Sequence, residues 1–254
     1  MTTVDATPTE NLVEFLKKLH NESMRLLEPV KFDKRDEQGR LIMSLYISMI
    51  EQAGSIIFLV EKLKEAGVSA IFRSMLEAYI DLKNLIADRA YVDHLNAKHA
   101  EQWLKLMKEG HKKNNAFLAG LKDLPEFDRR LASEQAKLDA LKAKGRGPLT
   151  IFEKFQKAGV EDVYRSYYNM LCADAHNDVR ALIERHLEIK SDNDFEVVGY
   201  RAVTLPDFTP ILDSAAGSLM EATNSVHVYY QSGLEGDASA LKAELDDIRK
   251  TLER

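Results

Sequence analysis

LIMSLYISMIEQAGSIIFLV, residues 41–60, is the stretch on which the fold turns. Leu41, Ile42, Leu45, Tyr46, Met49, Ile50, Ala53, Ile56, Ile57 and Val60 recur at three- and four-residue spacing, the period of a helix rather than the alternation of a strand. Together they cover most of a helix circumference, which predicts a central helix packed by several neighbours. Glu51, Gln52 and three serines interrupt the apolar run, so it reads as a core helix and not as a membrane span.

Working outward, this second helix is expected over Asp36 to Ala66, with Gly67 as its stop and Ser69 capping a third helix that reaches about Asp88. The third carries Ile71, Phe72, Met75, Leu76, Tyr79, Leu82, Leu85 and Ile86 toward the core. Upstream, a polar tail (1–9) leads into a helix over Glu10 to Glu28, closed by Pro29, and a charged connector from Lys31 to Arg35. Downstream, a fourth helix is expected from Tyr91 to Leu121, interrupted at Gly110. A fifth, from Pro125 to Lys144, is mostly charged, with a narrow seam of Leu131, Leu138 and Leu141 that could receive a partner helix. Shorter helices follow at Leu149 to Ala158, Glu161 to Ala175 and Asp178 to Ile189. Phe195 to Val203 is the one strand-like stretch, allowing at most a short hairpin near 195–204. A helix from Pro206 to Tyr230 and a charged one from Ala238 to Arg254 complete the chain.

The expected fold class is therefore all-α, an irregular multi-helix bundle around a central apolar helix. Residues 10–232 form its body, 125–145 a charged arm, and 233–254 a charged terminal helix. Composition agrees: 45% hydrophobic and 30% charged residues are globular proportions, and only 12 glycines and 6 prolines interrupt 254 residues. A net charge of −6 disfavours a nucleic-acid partner held through phosphates. One cysteine, Cys172, excludes an intrachain disulfide or a multi-cysteine zinc site. The first residues have neither the basic start nor the apolar run of a signal peptide, so a cytoplasmic location with no membrane partner is expected. A protein partner or homo-oligomer is expected instead.

Arg73-Ser-Met-Leu-Glu77 is the most suggestive element. Arginine and glutamate four apart share a helix face, and within a cleft they would form a rigid anion-binding fork. Arg73, Glu77, Asp81, Asn84 and Asp88 also form one stripe, which reads as a solvated face. Tyr167-Tyr-Asn-Met-Leu-Cys-Ala-Asp-Ala-His176-Asn-Asp sets His176 at a helix junction between two aspartates. A carboxylate there would orient the imidazole for general-base work; the plainer reading has Asn177 capping the next helix and His176 bonded to a backbone carbonyl. Cys172, four residues before His176, could share a face with it, but reads as a small buried hydrophobe. No Glu-x-x-His, His-Glu-x-x-His or phosphate-loop motif occurs, so neither a metal nor a cofactor is expected. The basic segment Lys137, Lys142, Lys144 and Arg146 lacks interleaved aromatics and reads as a solvated arm.

Arg73, Glu77, Tyr168, Leu171 and His176 resemble the signature positions of a bacterial all-helical family of unknown function. The resemblance spans roughly Asp36 to Tyr230 and implies a multi-helix fold in which Arg73, Glu77 and His176 converge, without supplying an activity; with Tyr168 these are the candidate ligand-binding residues. Arg180-Ala-Leu-Ile-Glu-Arg-His186 is similar in spacing to the motif of HEPN helical ribonucleases of toxin and defence systems. That resemblance implies metal-independent RNA cleavage by Arg180 and His186 across a dimer. Ala181 stands where that family places a polar residue, and on a continuous helix the two side chains lie about 120° apart.

Two functions follow as expectations: a non-enzymatic binding or assembly module with a polar pocket, or a metal-independent ribonuclease.

Overall fold

The computed structural model describes residues 7–112, 115–118, 120–191, 194–199 and 201–252. Residues 1–6 of the polar tail, Tyr200 in the strand-like stretch and residues 253–254 of the last helix lie outside the described residues. The fold is all-α, as the periodicity predicts, with one two-stranded antiparallel hairpin.

Helix α1 (Pro8–Leu27) opens on a capping box, in which Thr7 accepts from the Glu10 amide and Glu10 accepts from the Thr7 amide. Helix α2 (Glu37–Glu61) is capped by Asp36. By length and composition α2 is apolar enough to cross a membrane. It packs here against α1, α3 (Glu65–Ala87) and α10 (Thr209–Tyr230), burying Ile42, Tyr46, Met49, Ile50, Ile56 and Val60. The packing is one-sided, because Ile47 and Phe58 stay exposed. A polar node ties α2 to α1 and α10: Tyr46 Oη donates to Thr223 Oγ1 at 3.0 Å, which lies 3.0 Å from Ser23 Oγ and donates to the Leu219 carbonyl. Buried hydroxyls persist in an apolar core only when satisfied in this way.

Gly67 does not stop α2. The turn comes earlier, at Leu63, whose φ of 50° is left-handed and lets the Lys64 amide reach the Leu59 carbonyl. Gly67 sits inside α3, where a Cβ would lie 3.0 Å from Leu59 Cδ1; its missing side chain permits that close approach. Ser69 likewise lies inside α3 rather than capping it.

Helix α4 (Tyr91–His111) is ten residues shorter than expected. A turn ending in the 3₁₀ segment Leu121–Asp123 folds back so that Leu121 and the Leu118 carbonyl press on Gly110. Helix α5 (Phe127–Ala143) starts after the left-handed Glu126. Its leucine seam is not open to a partner: Leu131, Leu138 and Leu141 pack on Ala97, Ala100 and Leu104 of α4, a small core apart from the main one.

Helix α6 (Ile151–Lys157) has its own capping box at Thr150 and Glu153. A continuous helical run then comprises α7 (Glu161–Val163), a π-helical turn (Tyr164–Tyr168) and α8 (Asn169–Ala175), with α8 against α3. Helix α9 (Val179–His186) ends where strand β1 (Leu187–Ser191) begins, three residues before the expected end of that helix. Strand β2 (Asp194–Val197) pairs with β1, so the short hairpin overlaps the expected 195–204 at residues 195–197 and extends upstream of it, while residues 198–199 and 201–203 are not strand.

Pro206 opens a 3₁₀ turn (Leu205–Phe208) before α10. Helix α11 (Glu235–Leu252) lies on α1 and α10 through Ala238, Leu241 and Leu245. At the α10–α11 turn Gln231 is left-handed, and the buried His227 places Nδ1 2.8 Å from Ser232 Oγ. Its Nε2 meets no partner among the described residues.

Candidate functional site

Helix α3 carries the chemistry on residues four apart. Ser69, Arg73, Glu77 and Asp81 follow one another along a face, with Asn84 beside them. That face is only partly solvated. Arg73 and Glu77 are 26% and 36% exposed, Asp81 is 14% exposed, and Asn84 is buried. Each of these side chains meets a residue from another element, so the stripe is a polar seam between α3 and α8, α6 and α4.

Along the upper half of the seam, Arg73 Nε lies 3.4 Å from Glu77 Oε1. The same carboxylate oxygen accepts from Tyr168 Oη at 2.6 Å. The π-helical turn ends on Tyr168, and such turns insert one extra residue into an α-helix, re-aiming the side chains around it. Tyr168 is buried, stacks on Tyr164 with centroids 5.4 Å apart, and lies 5.0 Å from the Phe155 ring. Burial is the main cause that pushes the Tyr168 hydroxyl well above the ordinary phenol range, and the Glu77 carboxylate that it donates to adds to the shift. The hydroxyl therefore stays protonated as a fixed donor at neutral pH.

At the end of α8, His176 is the last helical cap and Asn177 is left-handed, with a φ of 53°. The chain reverses there and aims the imidazole back at α3. Arg73 Nη1 donates to His176 Nε2 at 2.9 Å, which leaves the proton of the neutral ring on Nδ1. This replaces the backbone-carbonyl partner that the plainer sequence reading gave His176. The cap of α9 is Asp178, accepting from the Ala181 amide, and not Asn177, whose amide oxygen accepts from Arg185 Nη2 at 2.5 Å.

Asp174 closes the cluster. It accepts from Ser69 Oγ at 3.3 Å and from Arg180 Nη2 at 2.7 Å, and Arg180 also pairs with Glu184 at 2.8 Å. The motif pair Arg180 and His186 is thus held by different partners: His186 places Nδ1 3.3 Å from the Val198 carbonyl, toward the hairpin. Cys172 is linked to His176 through the backbone, its carbonyl accepting from the His176 amide at 3.0 Å. Among the described residues no group of three or more histidine, cysteine or acidic side chains could hold a metal ion. His94 instead places Nδ1 2.7 Å from the Gly147 carbonyl.

The lower half of the seam holds residues not singled out as site candidates. Tyr91 Oη donates to Asp81 Oδ1 at 2.6 Å, and Lys154 Nζ to Asp81 Oδ2 at 2.8 Å. Asn84 Nδ2 donates to the Lys154 carbonyl. Burial first, then the neighbouring Asp81 charge, pushes the Tyr91 hydroxyl far above its usual range. The four-residue spacing from Ser69 to Asp81 was the available signal; what covers each position was not in it.

Chemically, Arg73 is a guanidinium fixed from behind. Glu77 holds its Nε edge, Tyr168 holds Glu77, and His176 accepts at one Nη. Held this way, a guanidinium loses little freedom when it binds an oxyanion. Comparison with curated proteins and with solved structures finds no match. A family described as of unknown function matches residues 39–195, a shorter span than the resemblance in sequence suggested but one that takes in all four residues of the cluster. The chain belongs to this family, DUF5677.

Proposed function

We propose that Arg73, Glu77, Tyr168 and His176 form a binding site for a small oxyanion, a carboxylate or a phosphate group. The carrying observation is the 2.9 Å contact between Arg73 and His176, made while Glu77 and Tyr168 brace the guanidinium from within. Arg73 is the donor, and His176, whose Nε2 faces the guanidinium, orients it from the side. Glu77 and Tyr168 position the arginine and do not touch the ligand.

The supporting logic is charge and order. Glu77 offsets the charge of Arg73 but spends one oxygen on both Arg73 and Tyr168, so it anchors the arginine without reaching over its outer edge. Charge-assisted donors of this kind contribute about 1.5–3 kcal/mol each. Titration calorimetry with inorganic phosphate and with succinate tests the reading. One-site binding of either anion, weakened at least tenfold by Arg73→Gln and by His176→Ala, is the expected result. Failure of both anions to saturate the native chain would reject it.

The ribonuclease reading has less support within one chain, because Arg180 is closed between Asp174 and Glu184 while His186 turns to the hairpin. Its check is RNA incubation in EDTA. Cleavage lost in His186→Ala but kept in His176→Ala would favour it over the oxyanion site.

A further inference from the structure

Six of the sixteen large apolar residues left exposed among the described ones lie between 179 and 197, a density that no other stretch of the chain matches. On α9 these are Val179, Leu182 and Ile183, one face of the helix at spacings of three and four. On the hairpin they are Ile189, Phe195 and Val197, which are 70%, 60% and 72% exposed. The register pairs Ile189 with Phe195 and Leu187 with Val197, so all four side chains stand on one face of the two strands. None of the six belongs to the main core or packs against it.

The hairpin is also poorly equipped to stand alone. Two strands without a covering layer are marginal in water. The face opposite the apolar one sets Glu188 directly across from Glu196, a repulsive pair that Lys190, 2.6 Å from Glu196, partly relieves. The register shifts between Ile189 and Ser191, so the pairing is not regular along its length. A hairpin built this way gains its order from whatever covers Ile189, Phe195 and Val197.

We infer that the cover is a second copy of this chain, joined through the α9–hairpin face about a two-fold axis. Area is the first argument. The six residues expose on the order of 700 Å² per copy, close to the roughly 800 Å² per partner of a standard stable interface. Charge is the second. The stretch from Val179 to Val197 carries more acids than bases, and its arginines and Lys190 are already paired or hydrogen-bonded within the chain. Such a rim has no spare cation for anionic lipid or nucleic acid, whereas the apolar side chains at the centre of the patch are complementary to a second copy of themselves.

Sedimentation velocity on the full chain, from low to high micromolar concentration, tests this. The expected result is a species of twice the 28.8 kDa chain mass. Ile189→Asp and Phe195→Asp should each halve that mass while leaving the thermal transition of the helices in place, because both side chains are solvent-facing in the single chain. Trp103→Asp, on the exposed face of α4, serves as the control and should leave the dimer intact. A native chain that stays monomeric throughout would overturn the inference and leave the face to a different partner. A dimer that survives both hairpin substitutions, or that Trp103→Asp dissolves, would place the interface elsewhere and overturn it equally. The oxyanion site is read by separate measurements, so either proposal can fail without the other.

Discussion

Arg73 and His176 are 103 positions apart in the chain and 2.9 Å apart in space, with the guanidinium donating to the imidazole Nε2. Helix α3 and the reversal after α8 are each positioned by their own packing, so this contact reports on both at once.

Arg73→Lys keeps the charge and removes the fork. A lysine at this position cannot serve Glu77 and His176 together, so anion affinity should fall about tenfold or more while stability changes by less than about 1 kcal/mol, the range of a partly exposed ion pair. Calorimetry and urea unfolding on the same protein separate the two effects.

Tyr168→Phe takes the buried donor from Glu77. The carboxylate keeps Arg73 but loses its inner bond, at an expected cost of about 1–2 kcal/mol in urea unfolding. Combining the change with Glu77→Gln should cost less than the sum of the two, and the size of that shortfall measures the coupling.

Asp81 and Lys154 are expected to behave asymmetrically. Asp81→Ala strands Lys154, which is 15% exposed, and should cost about 3 kcal/mol or more. Lys154→Met leaves Asp81 the Tyr91 hydroxyl and should cost distinctly less. Equal losses would show that Tyr91 contributes nothing to holding the carboxylate.

His227 predicts an acid dependence. Burial lowers its pKa below the ordinary 6.5, with Glu235 and Asp237 opposing the shift only in part. The unfolded chain therefore binds the proton more readily than the folded one. Stability is at its full value above pH 6.5, falls as the pH drops below that value, and stops falling once the folded histidine is itself protonated. His227→Gln should flatten this limb in thermal melts taken from pH 7.5 to pH 4.5.

How much of this was legible in the sequence differs element by element. The period of Leu41 to Val60 identifies α2 because ten apolar side chains repeat too regularly for anything but a helix. The same kind of spacing placed Ser69, Arg73, Glu77 and Asp81 on one face, but spacing says nothing about what lies opposite, so a half-buried polar seam looked like a solvated stripe. The end of α9 was hidden because Leu187 follows Ile183 at the four-residue spacing of a helix and is also followed by Ile189 at the two-residue spacing of a strand. The seam of α5 was visible, yet its partner was the preceding helix, joined by a turn whose tightness depends on Gly110 having no side chain. The turn over Tyr164–Tyr168 left no trace at all, since a π-helical hydrogen-bond pattern has no composition of its own.

That turn sets a rule for insertions and deletions. Each residue advances a helix by about 100°, so losing one between Tyr164 and Tyr168 would swing Asp174 and His176 away from α3 together. A chain shortened there would fold its core and lose its arginine partner. Relatives should therefore differ in length at the tip between α4 and α5, and keep a constant count of residues from Tyr164 to His176.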